Sequence, residues 1–306
     1  MTIINTSTSA FYERSTSELG SLRARAETMQ QQISSETRLS RSSEDPVAAS
    51  RLRNLARADA LSNIDMANAN RAATDLTLTD SAMSDVSNYI ITAKALATQA
   101  ATGTLNDDQR ASIGQQLTQM ARDLVALANS RDSSGHSLFG GEVAGDAYTI
   151  DGAGNATYVG TATAGELPLG DGQTITRGVT GPEFLNFSVN GTPTDLMAVI
   201  KGLGDTLIAG TGDLAGAARD ALGALDTGLN TLSTAQTVVG SRLAWIDLTL
   251  ERRTNVAELR ANEEKEIGGT DLPATIANLQ QTMLVLEASQ ASFTKLSGLS
   301  LFNILN

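Results

Sequence analysis

The chain has 306 residues, 41% hydrophobic but only 4% aromatic, and its 22 Lys and Arg against 34 Asp and Glu give a formal charge of −12 at pH 7. It has no cysteine and a single histidine, His136; this excludes disulfide frameworks, thiolate nucleophiles, iron–sulfur clusters and multi-histidine metal sites. So acidic a chain lacks the positive footprint that nucleic acids and anionic membrane surfaces demand, and neither is expected as a partner.

No 18 apolar residues follow one another, and Met1 to Ser9 carry neither a basic region nor an apolar run of signal-peptide length. The expectation is no membrane insertion, with residence in the cytosol or export without a cleaved signal. From Tyr12, alternating steps of three and four residues reach Ser15, Leu19, Leu22, Ala26, Met29 and Ile33, apolar except at Ser15. That is a coiled-coil seam about three heptads long. Asp45 and Pro46 mark the next start, as N-cap and first helical residue. The apolar pattern continues through Leu52, Leu55, Met66, Ala69, Ala73, Leu76, Met83, Val86, Ile90 and Leu96 to a stop at Gly103. At 1.5 Å per residue it predicts a helical rod on the order of 80 Å. Asn106, with Gln109 three residues on, predicts a capping box ahead of Ile113, Leu117, Met120, Leu124 and Leu127.

Composition then changes. Eighteen of the 27 glycines and three of the five prolines fall between Gly135 and Gly216, which predicts strands and turns there and helix on both flanks. Alternating pieces at 147–151, 156–160 and 184–189 read as strands, and the glycine-containing stretches at 151–155, 170–172 and 190–191 as turns. The reading is a small antiparallel β insert that protrudes from the helices and whose loss need not unfold them. Helix resumes through Leu222, Leu225, Leu229, Leu232, Val239, Leu243, Ile246 and Leu250 as far as Gly268 and Gly269. A second seam then runs through Leu272, Ile276, Leu279, Met283, Leu286, Gln290 and Phe293. Two such stripes at opposite ends of one chain invite pairing with each other.

Chemistry-bearing motifs are absent: there is no phosphate-cradling loop, zincin helix or nucleophile elbow. Asp151, Asn155 and Asp171 sit among glycines, but their spacing departs from a calcium loop and no glutamate closes it, so they read as hairpin turns. His136 and Ser137 are sequence neighbours in a loop, which does not make a base and its nucleophile. No enzyme activity, metal or cofactor is expected.

Several segments carry a resemblance. Ala97 to Arg110, with Ile113, Leu117, Leu124, Ala128 and Asn129 after it, resembles the helical stalk of bacterial flagellins. Ser42 to Ala49 (Ser-Ser-Glu-Asp-Pro-Val-Ala-Ala) is similar to the Asp-Asp-Pro-Val-Ala-Ala signature of the hook-filament junction family, hook-associated protein 3, where flagellins usually carry Asp-Asp-Ala-Ala-Gly. Asn129 to Gly141 resembles that family's Gly-x-Tyr-Leu-Phe-x-Gly segment; it departs at His136 and Ser137 and keeps Phe139, Gly140 and Gly141. Val239 to Leu243, Leu286 to Gln290 and Leu299 to Leu305 complete the match, which spans about 1–145 and 220–306 and leaves the insert uncovered.

The resemblance implies a mainly α fold: a long antiparallel helical coiled coil built from both termini, with a small β-rich inserted domain. It divides the chain into an N-terminal coiled-coil segment (1–45), two halves of a helical stalk (46–145 and 201–267), the insert (146–200) and a C-terminal coiled-coil segment (268–306). It implies a structural axial protein of the bacterial flagellum, an adaptor between the hook side and the flagellin filament, extracellular and exported through the type III channel. The alternative is a short flagellin that builds the filament itself. Implied partners are further copies in a helical layer, hook-associated protein 1, flagellin and an export chaperone. The expected interface residues are Leu19, Leu22, Met29 and Ile33 with Leu279, Met283, Leu286 and Phe293, and a terminal packing anchor at Leu301 and Phe302.

Overall fold

In a computed structural model, residues 3–102 and 104–304 are described, with side chains described from residue 10 to residue 296 apart from Gly103. Among them are seven helices and six short strands: α1 (Ile3–Ser35), α2 (Pro46–Ala101), α3 (Asp107–Ala128), β1 (Tyr148–Ile150), β2 (Ala156–Tyr158), β3 (Glu166–Gly170), β4 (Gln173–Thr176), α4 (Gly181–Leu185), β5 (Asn186–Val189), β6 (Thr192–Asp195), α5 (Leu196–Ala209), α6 (Leu214–Gly268) and α7 (Leu272–Ile304). The fold is mainly α with a small strand-rich region, as the sequence predicts. The chain forms two compact units, Met1–Ala60 with Asn255–Asn306, and Leu61–Thr254.

The helix boundaries follow local chemistry. Asp45 Oδ1 accepts from Ala48 N at 3.0 Å and caps α2, while Pro46 takes the first position. Asn106 and Gln109 form the expected reciprocal box on α3, at 2.8 and 3.1 Å. Asp195 Oδ1 accepts from Ala198 N at 2.8 Å at the start of α5, and Gly210 ends that helix in the left-handed region.

Within the unit 61–254 the core is contributed by every layer. Leu76, Met83 and Ile90 of α2 are fully buried together with Leu117 and Leu124 of α3, Ile200 and Leu207 of α5, and Val239 and Ile246 of α6. Helices α3 and α5 cross at Gly114 and Gly204. A Cβ built on Gly114 would lie 2.6 Å from the Gly204 carbonyl oxygen, and one on Gly204 would lie 2.8 Å from that of Gly114. Only glycine permits so close a crossing.

The middle segment differs from expectation in three ways, the first being that helix α5 (Leu196–Ala209) lies inside the glycine-rich stretch read as strands and turns. Its strands form three separate antiparallel hairpins, β1–β2, β3–β4 and β5–β6, rather than one sheet. Phe184 and Leu185, read as the start of a strand, lie instead in α4: Pro182 presets a helical φ, and the Glu183 carboxylate accepts from Thr180 N at 3.0 Å, turning the chain before β5 begins. The turns Asp171-Gly172 and Asn190-Gly191 both have positive φ at each residue, the geometry that suits a two-residue hairpin loop.

The segment is also packed into the helices. Leu169, Ile175, Phe184 and Leu185 are buried in the same cluster as the helical core. Hairpin β3–β4 is held by Asn68, whose Nδ2 donates to Pro168 O at 3.1 Å, and by Arg253, which donates to Leu169 O and pairs with Asp65 at 3.1 Å. Asn129 at the end of α3 exchanges two bonds with Tyr148, at 2.8 and 2.9 Å, and so stands in as a strand partner for β1. The segment therefore does not simply protrude from the helices as expected: its apolar side chains join their core.

Candidate assembly surface

In the unit formed by 1–60 and 255–306, α1 and α7 pair along their length. Every seam position predicted on α1, Tyr12, Ser15, Leu19, Leu22, Ala26, Met29 and Ile33, is half-buried, while the residues between them are mostly exposed. On α7 the half-buried row is Leu272, Thr275, Leu279, Thr282, Leu286, Ser289 with Gln290, and Phe293. Ile276 and Met283 face outward instead, with Met283 49% exposed. The two helices lock at one end through Tyr12 and Phe293, edge to face with centroids 5.5 Å apart.

A single helix pair cannot cover its apolar side chains. Leu284 on α7 is 67% exposed, and Phe11, Val285 and Leu296 are each more than two-fifths exposed. Phe11, Val285 and Leu296, with Leu19, Leu22 and Phe293, line a groove of about 420 Å³ between the helices. A helix that is apolar on several faces is one that a larger assembly buries.

The structure brings Leu19, Leu22 and Phe293 to one groove, places Met29, Ile33, Leu279 and Leu286 half-buried on the two helices, and leaves Met283 on the outer side. The side chains of Leu301 and Phe302 lie outside the described residues. Phe11 and Leu296 escape a heptad reading because they flank the seam rather than occupy it.

The unit 61–254 holds a cavity of about 330 Å³ whose walls include Asp75, Asp132, His136 and Arg177. Arg177 Nη2 bridges Asp75 at 3.0 Å and Asp132 at 3.5 Å. Burial opposes ionisation of Asp132. The backbone N–H groups of His136 and Ser134, the neighbouring His136 and the Arg177 charge outweigh it, holding the carboxyl below its usual range. The carboxylate is thus fully engaged in ordering the 131–138 loop.

Residues 4–144 match the bacterial flagellin N-terminal helical region. Over 315 aligned residues the chain is 28% identical to flagellar hook-associated protein 3 of Salmonella typhimurium, covering 97% of this chain and 98% of that one. The chain is similar to hook-associated protein 3 over nearly its whole length. Two solved structures share the fold: a flagellar hook-associated protein from Vibrio parahaemolyticus (TM-score 0.68, 20% identity, 74% of this chain and all of that one) and the flagellar junction protein FlgL from Legionella pneumophila (TM-score 0.59, 12% identity, 71% and 99%). The resemblance expected from Ser42–Ala49 and Asn129–Gly141 is borne out, and the alignment also takes in the middle segment that those motifs left uncovered.

Proposed function

We propose that this chain is a structural axial protein of the bacterial flagellum, an adaptor that joins the hook side to the filament. The observation that carries the reading is the end-to-end match to hook-associated protein 3, with 97% of one chain aligned to 98% of the other. The helix pair α1–α7 supports it physically, since its exposed Phe11, Leu284 and Leu296 require burial by neighbours. At about 25 cal/mol per Å² of apolar surface, roughly 600 Å² of covered seam contributes on the order of 15 kcal/mol before ordering costs.

Residues 1–45 and 268–306 are assigned to the terminal coiled coil, 46–145 and 201–267 to the helical stalk, and 146–200 to the strand-rich element. The interface is assigned to Leu19, Leu22, Met29, Ile33, Leu279, Met283, Leu286 and Phe293, with Leu301 and Phe302 as the terminal anchor. The partners are further copies, related by a heterologous contact that propagates into a helical layer, hook-associated protein 1 on the hook side and flagellin on the other. A chaperone holds the ends before export through the flagellar channel. The role is structural rather than catalytic, and the Asp132 carboxylate serves folding.

Deletion of the gene tests this. Electron microscopy should show bare hooks, with flagellin shed as monomer into the medium. Intact filaments would overturn the reading, and absent filaments with little shed flagellin would mark the chain as the flagellin itself.

A further inference from the structure

The helix pair α1–α7 is reached through two linkers that are tied to each other. Residues 36–45 connect α1 to α2, and residues 269–271 connect α6 to α7. Thr37 and Gly269 face each other in an antiparallel bridge. Arg38 N donates to Gly268 O at 2.7 Å, and Thr270 N donates to Glu36 O at 3.0 Å. The Arg38 guanidinium adds bonds to Ile267 O from Nε at 3.3 Å and Nη2 at 3.0 Å, and Nη2 also reaches Asp45 Oδ2 at 3.2 Å. The Arg38 carbonyl accepts from Gln32 Nε2 at 2.8 Å.

One residue therefore touches three helix ends: α1 through Gln32, α2 through its N-cap Asp45, and α6 through Ile267. A cation at the carbonyl end of one helix and a carboxylate at the amino end of another both complement the helix dipoles. Glu36 beside it adopts a left-handed backbone, φ 53°. A non-glycine residue keeps that conformation where surrounding bonds over-determine it.

The clasp and the distant seam share one alignment. Tyr12 lies 24 residues before Glu36 and Phe293 lies 23 residues after Thr270, yet each pair meets, one by rings and one by backbone. The two agree to within one residue, about 1.5 Å along a helix. The seam by itself specifies its register weakly. Its α1 row is apolar except at Ser15, and its α7 row intersperses leucines with Thr275, Thr282, Ser289 and Gln290, so a slip of one heptad still sets most apolar positions against apolar or small residues.

We propose that the clasp centred on Arg38 sets the register of the α1–α7 coiled coil, so that the two ends of the chain pair in a single alignment. The inference deepens the junction reading, on which its consequence in the flagellum rests, by naming what aligns the surface that the assembly buries.

Thiol cross-linking of the full chain tests it, since the absence of native cysteine makes any disulfide the engineered one. Tyr12→Cys with Phe293→Cys should form an intramolecular disulfide under copper phenanthroline. Duplicating the heptad Met29–Ser35 on α1 alone moves residue 12 by about 10 Å relative to the clasp, beyond disulfide reach. The expected result is a loss of at least about tenfold in the rate of disulfide formation. Duplicating Leu272–Asn278 on α7 as well should restore the rate to within about twofold, because both helices then lengthen equally. Arg38→Ala in the one-sided duplication should also restore linkage, by letting the seam slide back.

Four results overturn the inference: no disulfide in the parent pair, an unchanged rate after the one-sided duplication, no recovery when both helices are lengthened, or no recovery when Arg38→Ala is added to the one-sided duplication. Complementation separates this from the junction reading. If the wild-type chain restores no filaments to cells lacking the gene while the cross-linking pattern holds, the junction reading fails and the register inference stands. If filaments return but the one-sided duplication still links 12 to 293, the register inference alone fails.

Discussion

Phe184 in the strand-rich segment and Phe139 in the loop after α3 offer the sharpest test of how that segment relates to the helices. Their rings pack with centroids 4.8 Å apart, and the two are 1% and 0% exposed. Backbone bonds surround the pair, with Gly181 N donating to Phe139 O at 2.9 Å. Truncating a fully buried phenylalanine costs about 3–5 kcal/mol through lost transfer energy and the cavity left behind. For a domain of roughly 150–250 residues each kcal/mol moves the midpoint by about 2–4 °C. Phe184→Ala should therefore lower the midpoint for melting of the helices by roughly 6–20 °C, followed as helical ellipticity in the full chain. Phe139→Ala and the double variant complete a cycle, in which a coupling of about 0.5–1.5 kcal/mol is expected for packed rings. The readout reports helix although the substituted side chain belongs to the segment between helices. A shift below about 2 °C, the lower bound for a single kcal/mol, would refute the shared core and return the segment to the status of a detachable element.

Leu22→Asp places a charge in the α1–α7 groove and should abolish recovery in sheared flagella, with the thermal midpoint of the central unit unchanged; normal incorporation would reject the seam as the assembly surface. Gly204→Ala sets a methyl against the Gly114 carbonyl and Thr118, so a destabilisation of about 1–3 kcal/mol is expected from overpacking, measured by urea denaturation. Gly170 combines φ +83° with a site where a Cβ would fall on Asp65 and Arg253; Gly170→Ala should cost about 1–3 kcal/mol and loosen hairpin β3–β4, seen as faster amide exchange in β4. Because the native Asp132 carboxyl lies below its usual range, its contribution is present above the ordinary value of about 3.9 and is lost as pH falls from there through the native value. Asp132→Asn should accordingly flatten the acid limb of stability against pH, and an unaltered acid limb would remove Asp132 from that account.

Local chemistry was legible wherever one residue decides it. Asp45 before Pro46, Asn106 before Gln109, and glycines at the two-residue turns specify their conformations within four residues, and each appears in the structure where the sequence places it. The α1 stripe was legible for a similar reason: period alone assigns Leu19, Leu22, Met29 and Ile33 to one face. On α7 the same period is ambiguous, because Ile276 and Met283 next to Thr275 and Thr282 offer two adjacent apolar-compatible rows. Packing against α1 selected the row with the smaller threonines and turned Met283 outward, a choice that depends on the partner helix and not on α7's own pattern.

The remainder was hidden because it is long-range. Composition marks out the glycine-rich middle but misses helix α5 (Leu196–Ala209) within it, and it is blind to where Leu169, Ile175 and Phe184 are buried. Phe139, Gly140 and Gly141 serve in the sequence as marks of a family. In the structure they are the joint at which the strand-rich segment enters the helical core, through the Phe139–Phe184 contact and the bonds that Phe139 O accepts from Gly181 N and the Tyr158 hydroxyl. Arg38 is the extreme case. Nothing in its neighbourhood distinguishes it from Arg41 three residues on, and its partner Ile267 lies 229 positions away. A residue of that kind acquires its role from tertiary geometry alone. A chain whose two ends must find each other needs such a residue outside the seam, because a repeating apolar row stabilises every heptad alignment nearly equally and selects none of them.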